Sequence, residues 1–217
     1  MFPRTALLSL GVSGLLGSRR FAAATTFTNV KRVNESRREN ALCYVPSGSD
    51  GSFYIEQLKG FYLFLELATG INEHWRSVVA GQKFEKTDLI ASVFGTLYSK
   101  PTRFTVQISP DKHMAFTGGL EFLNHSCNPN TRIDVSEHEA KVSFVAIKSI
   151  QHGEPLSFDY STSEWDMDEK FECHCGAPTC QGHVGGAKYL SEDEVLARLP
   201  YFTPSILRQL LARKLTN

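Results

Sequence analysis

Leu123-Asn124-His125-Ser126-Cys127-Asn128-Pro129-Asn130 opens the part of the chain whose reading decides the fold, residues 123–182. Gly153-Glu154-Pro155-Leu156-Ser157-Phe158-Asp159-Tyr160 follows, and then Cys173-His174-Cys175-Gly176 with Cys180. Four of the chain's five cysteines fall inside this stretch. The tight C-x-C-x4-C spacing of Cys173, Cys175 and Cys180 suits thiolates gathered on one soft metal ion better than a secreted disulfide framework. Zinc is the expected occupant, and a reducing compartment the expected setting. Cys43, outside the stretch, reads as a small buried hydrophobe.

In that order and wording, N-H-S-C-x-P-N, G-E-x-L-x-F-D-Y and C-x-C-G-x3-C-x-G resemble a SET domain with its post-SET zinc loop, over residues 77–182. The resemblance implies a mainly β, SET (β-clip) fold of short strands with a knot-like C-terminal segment, a zinc-binding post-SET loop and C-terminal helices. Together with the composition of the amino terminus and the helix signals near the carboxyl end, it divides the chain into a targeting segment at 1–21, a linker at 22–40, the SET domain at 41–162, the post-SET loop at 163–186 and a helical extension at 187–217. The implied activity is S-adenosylmethionine-dependent methylation of a lysine on a protein substrate.

Site residues follow from the same resemblance. Tyr160 takes the position of the catalytic tyrosine, its hydroxyl beside the reacting methyl and the incoming nitrogen. Asn124, His125 and Phe171 take cofactor-binding positions, the asparagine through its amide and the histidine largely through its backbone. Phe158 stands in the substrate channel where the number of methyl groups is set, and phenylalanine there permits di- or trimethylation. Cys127 is implied as the fourth zinc ligand beside Cys173, Cys175 and Cys180, with His174 and His183 as alternative donors. Four thiolates fill a tetrahedral shell, so the zinc is expected to be structural. Two features depart from the family pattern. No glycine-x-glycine cofactor segment is recognisable, Gly48-Ser49-Asp50-Gly51 being a poor substitute, and Glu121-Phe122-Leu123 stands where many members have arginine then phenylalanine. Lys100-Pro101-Thr102, Glu164-Trp165-Asp166-Met167 and Gly186-Ala187-Lys188-Tyr189-Leu190 are similar to small SET/post-SET proteins.

The chemistry sets its own demands. A lysine ammonium has no lone pair with which to attack a methyl group, and its ordinary pKa of about 10.4 leaves little free amine at neutral pH. A narrow apolar channel favours the neutral amine by desolvation and aligns nitrogen, methyl carbon and sulfur. A tyrosine of ordinary pKa is a poor base there.

A chain of 217 residues, 41% hydrophobic, is long enough for one catalytic domain with appendages. Zero net charge and the lack of a long basic run set aside direct nucleic-acid binding. A monomer without a membrane span is expected. Residues 1–34 carry no acid but include Arg4, Arg19, Arg20, Lys31 and Arg32. With Arg19-Arg20-Phe21 before Ala22-Ala23-Ala24, this resembles a mitochondrial presequence, with plastid, nucleus and cytoplasm as the alternative destinations. A secretory core at 6–16 is too short to span a bilayer, and a disordered tail is the plain alternative.

β-Branched and aromatic enrichment places strands at 42–45, 53–55, 90–94, 104–108, 132–135 and 142–147. Ser136-Glu137-His138-Glu139 and Gln151-His152-Gly153 read as turns, and Leu156, Phe158 and Tyr160 as one face of an alternating strand. The apolar run at 60–67 is undecided between strand and helix. Ser191 with Glu194 makes a capping box, and Thr203-Pro204 starts a second helix with an apolar face of Leu207, Leu210, Leu211 and Leu215. Two rival functions remain: a non-catalytic SET-fold protein-interaction module, and a zinc-stabilised interaction module that the missing basic stripe disfavours.

Overall fold

The computed structural model describes residues 27–31, 41–46, 50–58 and 76–216. The targeting segment, the Cys43 side chain and the 60–67 run lie outside the described residues. β1 (Phe27–Lys31), β2 (Ala41–Pro46), β3 (Phe53–Leu58) and β4 (Arg76–Ala80) form an antiparallel sheet in that order. β1 falls in the stretch that the sequence reads as a linker. Next come β5 (Leu89–Phe94), β6 (Thr96–Tyr98), β7 (Thr105–Ser109) and β8 (Lys112–Ala115). They are followed by β9 (Asn124–His125), β10 (Thr131–Ser136), β11 (Lys141–Ala146) and β12 (Ser157–Phe158). β13 (Phe171–Glu172) and β14 (His183–Val184) pair antiparallel in the cysteine-rich loop.

β10, β11 and β5 make one small sheet, and β6, β8 and β7 another. The first shows why alternating sequences fold this way. Val142, Phe144 and Ala146 point inward along β11, Ile133 and Ile90 meet them from its neighbours, and Ser143 turns outward to pair with Ser92 Oγ at 2.8 Å. Phe116 meets the buried Phe144 edge to face at 5.9 Å. β6 escapes the sequence reading because all three of its residues are exposed and leave no burial pattern.

The segment that carries the site lies between two partners. On one side β4 holds it, with Ala80 N–H donating to Glu154 O at 2.9 Å and Leu156 N–H to Val78 O at 2.8 Å. On the other side β12 runs parallel to β9, matching Ser157 with Asn124 and Phe158 with His125. Asn130 clasps the same segment, its Nδ2 donating to Pro155 O at 2.8 Å and its Oδ1 accepting from Ser157 N–H at 2.9 Å. The turn before it needs Gly153, whose φ of +81° is costly for any residue with a Cβ.

α1 (Glu192–Arg198) begins with the expected box, Ser191 and Glu194 each bonding the other's backbone N–H. α2 (Pro204–Thr216) differs from expectation in two ways. Thr203 Oγ1 is buried without a hydrogen-bond partner among the described residues, so Thr203 starts the helix through its carbonyl, which accepts Leu207 N–H at 3.0 Å. The buried face is Ile206 and Leu210, packed on Ala187, Leu190 and Phe202, with Leu207 half-buried. Leu211 and Leu215 are 64% and 88% exposed. They continue the row of Leu207, which is rotated by about 100° from the row of Ile206 and Leu210, and the small core takes one row. No helix among the described residues is long and apolar enough to cross a membrane.

Candidate active site and metal centre

The two-residue pairing of β9 with β12 brings the Asn-His and Phe-Asp-Tyr motifs side by side. The expected alternating strand stops at Phe158, because Asp159 caps a 3-10 turn, Tyr160–Thr162, by accepting Ser161 N–H at 3.0 Å. Leu156 is buried in the main core, while the turn sets the Tyr160 ring against Phe158, centroids 4.7 Å apart. The Tyr160 hydroxyl donates to Leu123 O at 2.7 Å. Burial of the phenol pushes its pKa well above the ordinary value, so it is held as a neutral donor.

His125 presents backbone to this site and hides its ring, whose side chain is 3% exposed. Nδ1 accepts the backbone N–H of Tyr160 at 3.2 Å, which leaves the proton on Nε2, 3.2 Å from Cys127 Sγ. Burial holds the imidazole below its ordinary pKa, against the pull of Asp159. Asn124 Nδ2 donates to Arg76 O at 2.9 Å, tying β9 to β4 and leaving Oδ1 without a partner among the described residues. Phe171 stands edge to face with both His125 and Tyr160, at 5.8 and 6.1 Å. Asn124, His125, Phe158, Tyr160 and Phe171 all line one open cleft of about 950 Å³. Arg76 also lines it, its guanidinium 4.4 Å from the centre of the Phe122 ring.

The Sγ atoms of Cys127, Cys173, Cys175 and Cys180 lie within 4.8 Å of one another. A tetrahedral ion with zinc–sulfur bonds of about 2.3 Å separates its sulfurs by about 3.8 Å, and Cys127 and Cys173 stand 3.9 Å apart. The set therefore fits zinc in both donor chemistry and spacing. His174 and His183 stay outside the group, His183 Nδ1 pairing with Glu172 at 3.0 Å on the surface. Burial pushes the Cys127 thiol up and takes Cys173 to about 11. At Cys175 burial also pushes upward, but hydrogen bonds from Ala177 and its sulfur neighbours outweigh it and bring the thiol to about 6. Gln181 N–H donates to Cys127 Sγ at 3.4 Å, as an N–H does to a metal-bound thiolate.

The sequence model of the SET domain matches residues 18–161, two-thirds of the chain. The chain belongs to the SET-domain family of methyltransferases. Methyltransferase flvH of Aspergillus flavus is 33% identical over 135 residues, covering 58% of this chain and 73% of that protein. Histone-lysine N-methyltransferase ASHR3 of Arabidopsis thaliana is 42% identical over 66 residues, 30% of this chain and 13% of its own. The H3 lysine-4 specific enzyme of Schizosaccharomyces pombe is 45% identical over 65 residues, 29% and 7%. This SET chain thus spans a small part of the histone enzymes that it matches. Among solved structures, KRYPTONITE in complex with mCHG DNA and SAH aligns at TM-score 0.42 with 18% identity, over 50% of this chain and 26% of that one.

Four residues that brace this site, Asp159, Arg198, Glu164 and Gln107, are given no role by the sequence reading. Asp159, 4% exposed, receives Arg198 Nε at 2.7 Å, so α1 is tied directly to the turn that carries Tyr160. Glu164, 9% exposed, accepts Gln107 N–H at 2.8 Å, while Gln107 Oε1 accepts Trp165 N–H at 2.8 Å, a two-way clamp between β7 and the post-Tyr160 segment. The available signal was an acid set directly after Ser161-Thr162-Ser163, three small residues that are all buried.

Proposed function

We propose that this chain transfers a methyl group from S-adenosylmethionine to the ε-amine of a lysine on a protein substrate. The observation that carries this reading is the Tyr160 hydroxyl fixed on Leu123 O at 2.7 Å inside a cleft walled by Phe158, Phe171 and His125. Aromatic walls desolvate an incoming ammonium and favour the neutral amine that the reaction needs. The fixed hydroxyl dipole orients that amine and costs no reorganisation when the reaction occurs. The cofactor supplies the electrophilic methyl. Asn124 Oδ1 and the His125 backbone are the chain's own groups for holding it, and Phe171 offers a ring to pack against. Zinc on the four thiolates closes the loop that bears Phe171 beside the cleft. Relatives acting on histone H3 make an H3 tail the first substrate to try. Residues 1–21 support delivery to mitochondria, which a fluorescent fusion of residues 1–40 tests by leaving the cytosol.

The decisive experiment is calorimetric titration of purified protein with S-adenosylmethionine, followed by labelled cofactor with histone H3 and with cell extract. Binding and a labelled lysine are the expected result. Absence of cofactor binding overturns the reading and favours the non-catalytic interaction module.

A further inference from the structure

The methyl transfer just described leaves one task without a residue. The substrate ammonium must lose a proton, and Tyr160 is unsuited to take it, since its hydroxyl already donates to Leu123 O and burial holds the phenol protonated. Glu164 sits four residues on, in the wall of the same cleft with Val106, Phe116, Phe158 and Tyr160. Its carboxyl is buried yet half engaged. Oε1 takes the Gln107 N–H at 2.8 Å, and Oε2 has no partner among the described residues.

A backbone amide needs only one acceptor oxygen, which glutamine would supply equally well. Placing a carboxyl there therefore adds something that the clamp to β7 does not use: a second, free oxygen that can take up and release a proton. Burial pushes this carboxyl up to about 8, the Gln107 hydrogen bond pulling it only partly back. Proton transfer from an amine of pKa about 10.4 to an ordinary carboxylate is uphill by about six pKa units, and to a carboxylate near 8 by only about two.

We propose that Glu164 accepts the proton that the substrate lysine releases before methyl transfer. This rests on the methyltransferase reading above. One N–H bond of the ammonium breaks, its electron pair stays on nitrogen and Glu164 Oε2 gains the hydrogen. The lone pair then forms the nitrogen–carbon bond while the carbon–sulfur bond of the cofactor breaks and its pair returns to sulfur. Product leaves as the methylated ammonium, and Glu164 returns its proton to water in the open cleft. The other titratable groups that line this cleft are Tyr160 on the same segment, Arg76 from β4, Arg103 from the loop before β7, Glu121 and His125 around the start of β9, and Asp168, Glu169, Lys170, Cys173, His174 and Cys175 from the following loop. Arg103 is paired with Glu169 at 3.7 Å.

The test needs no identified substrate. Sinefungin carries a primary amine where S-adenosylmethionine carries its methylated sulfur, so it presents an ammonium to the transfer position, whereas S-adenosylhomocysteine presents none. Calorimetry on the zinc-loaded protein measures both between about pH 6.5 and 9. In the wild type the preference for sinefungin rises with pH as Glu164 ionises while the amine stays charged. In Glu164→Gln the affinity for S-adenosylhomocysteine is unchanged, and the preference for sinefungin falls by about tenfold or more and loses its pH dependence. An equal preference in wild type and variant overturns the proposal and leaves the methyltransferase reading standing. Should the variant not fold, the wild-type series decides, a flat ratio across that range overturning the proposal. Failure of the wild type to bind either analogue overturns the methyltransferase reading, and the role of Glu164 with it.

Discussion

His125 Nε2 lies 3.2 Å from Cys127 Sγ, so a single imidazole joins the cysteine cluster to the turn that carries Tyr160. Its other nitrogen accepts the Tyr160 backbone N–H. His125→Phe keeps a ring in the aromatic stack and removes both hydrogen bonds. Loss of an outer-shell hydrogen bond to a metal ligand weakens metal binding by about tenfold to a hundredfold. Competition with a chromogenic chelator should show a loss in that range. Unchanged zinc retention would reduce the imidazole to packing.

Zinc itself is the second test. Elemental analysis should give one zinc per chain, and Cys175→Ser should lower zinc content and weaken cofactor binding together, because three of the four clustered sulfurs sit on the loop between β13 and β14. Chelation of the wild type should reproduce the effect. A variant with full zinc and full cofactor affinity would remove the cluster from the proposed function.

Local wording and spacing reveal part of this site, and distance in the chain hides the rest. Cys173, Cys175 and Cys180 announce a metal site because all three sit within one short loop, and Asn124-His125 and Asp159-Tyr160 are contiguous motifs. Cys127, distant in the chain, is implied only by resemblance, and the structure brings its thiol into the cluster. Glu164 reaches Gln107 across 57 residues and Arg198 reaches Asp159 across 39, with no periodicity to mark either pair. The same limit explains the second helix. Its sequence offers two apolar rows, and only contact with Ala187, Leu190 and Phe202 decides that Ile206 and Leu210 are buried rather than Leu211 and Leu215.

Tyr160 and Phe158 separate binding from chemistry. Tyr160→Phe keeps the ring against Phe158 and deletes the donor to Leu123 O, so cofactor affinity should change little while methyl transfer falls by about a hundredfold or more. Phe158→Tyr adds a hydroxyl to a buried ring at the channel and should let the first methyl transfer while disfavouring later ones. Mass spectrometry of a methylated substrate reads both. Full activity in Tyr160→Phe would remove the tyrosine from the reaction, and an unaltered product distribution would return Phe158 to the core.

Glu164 also carries a stability signature. Its carboxyl stands near 8 in the fold against 4.5 in the unfolded chain. Between those values the folded state keeps a proton that the unfolded state has released, so this residue makes stability fall as pH rises, with the full penalty present above about 8. Glu164→Gln removes the titration and keeps the acceptor for Gln107 N–H. Thermal melts should show the variant gaining on the wild type from pH 5 to pH 8.5, by about 1 kcal/mol or more. A constant difference across that range would place the carboxyl in contact with solvent.

The Asp159–Arg198 pair should hold the C-terminal extension to the site. Nε donates to Oδ2 at 2.7 Å, the side chains are 4% and 11% exposed, and Arg198 Nη1 also donates to Glu194 O at 2.9 Å within α1. Breaking a buried pair by removing one partner leaves an uncompensated charge and costs about 3 kcal/mol or more, whereas removing both costs less than the sum. Arg198→Met should therefore destabilise strongly, Asp159→Asn should do so through Arg198 while its remaining oxygen still caps Ser161 N–H, and the double variant should recover part of the loss. Chemical denaturation of the four proteins gives the coupling. It should be positive and should persist in high salt, since buried pairs are screened little. Strict additivity would mean that α1 is held by its apolar contacts alone, and that Asp159 serves only to cap the turn beneath Tyr160.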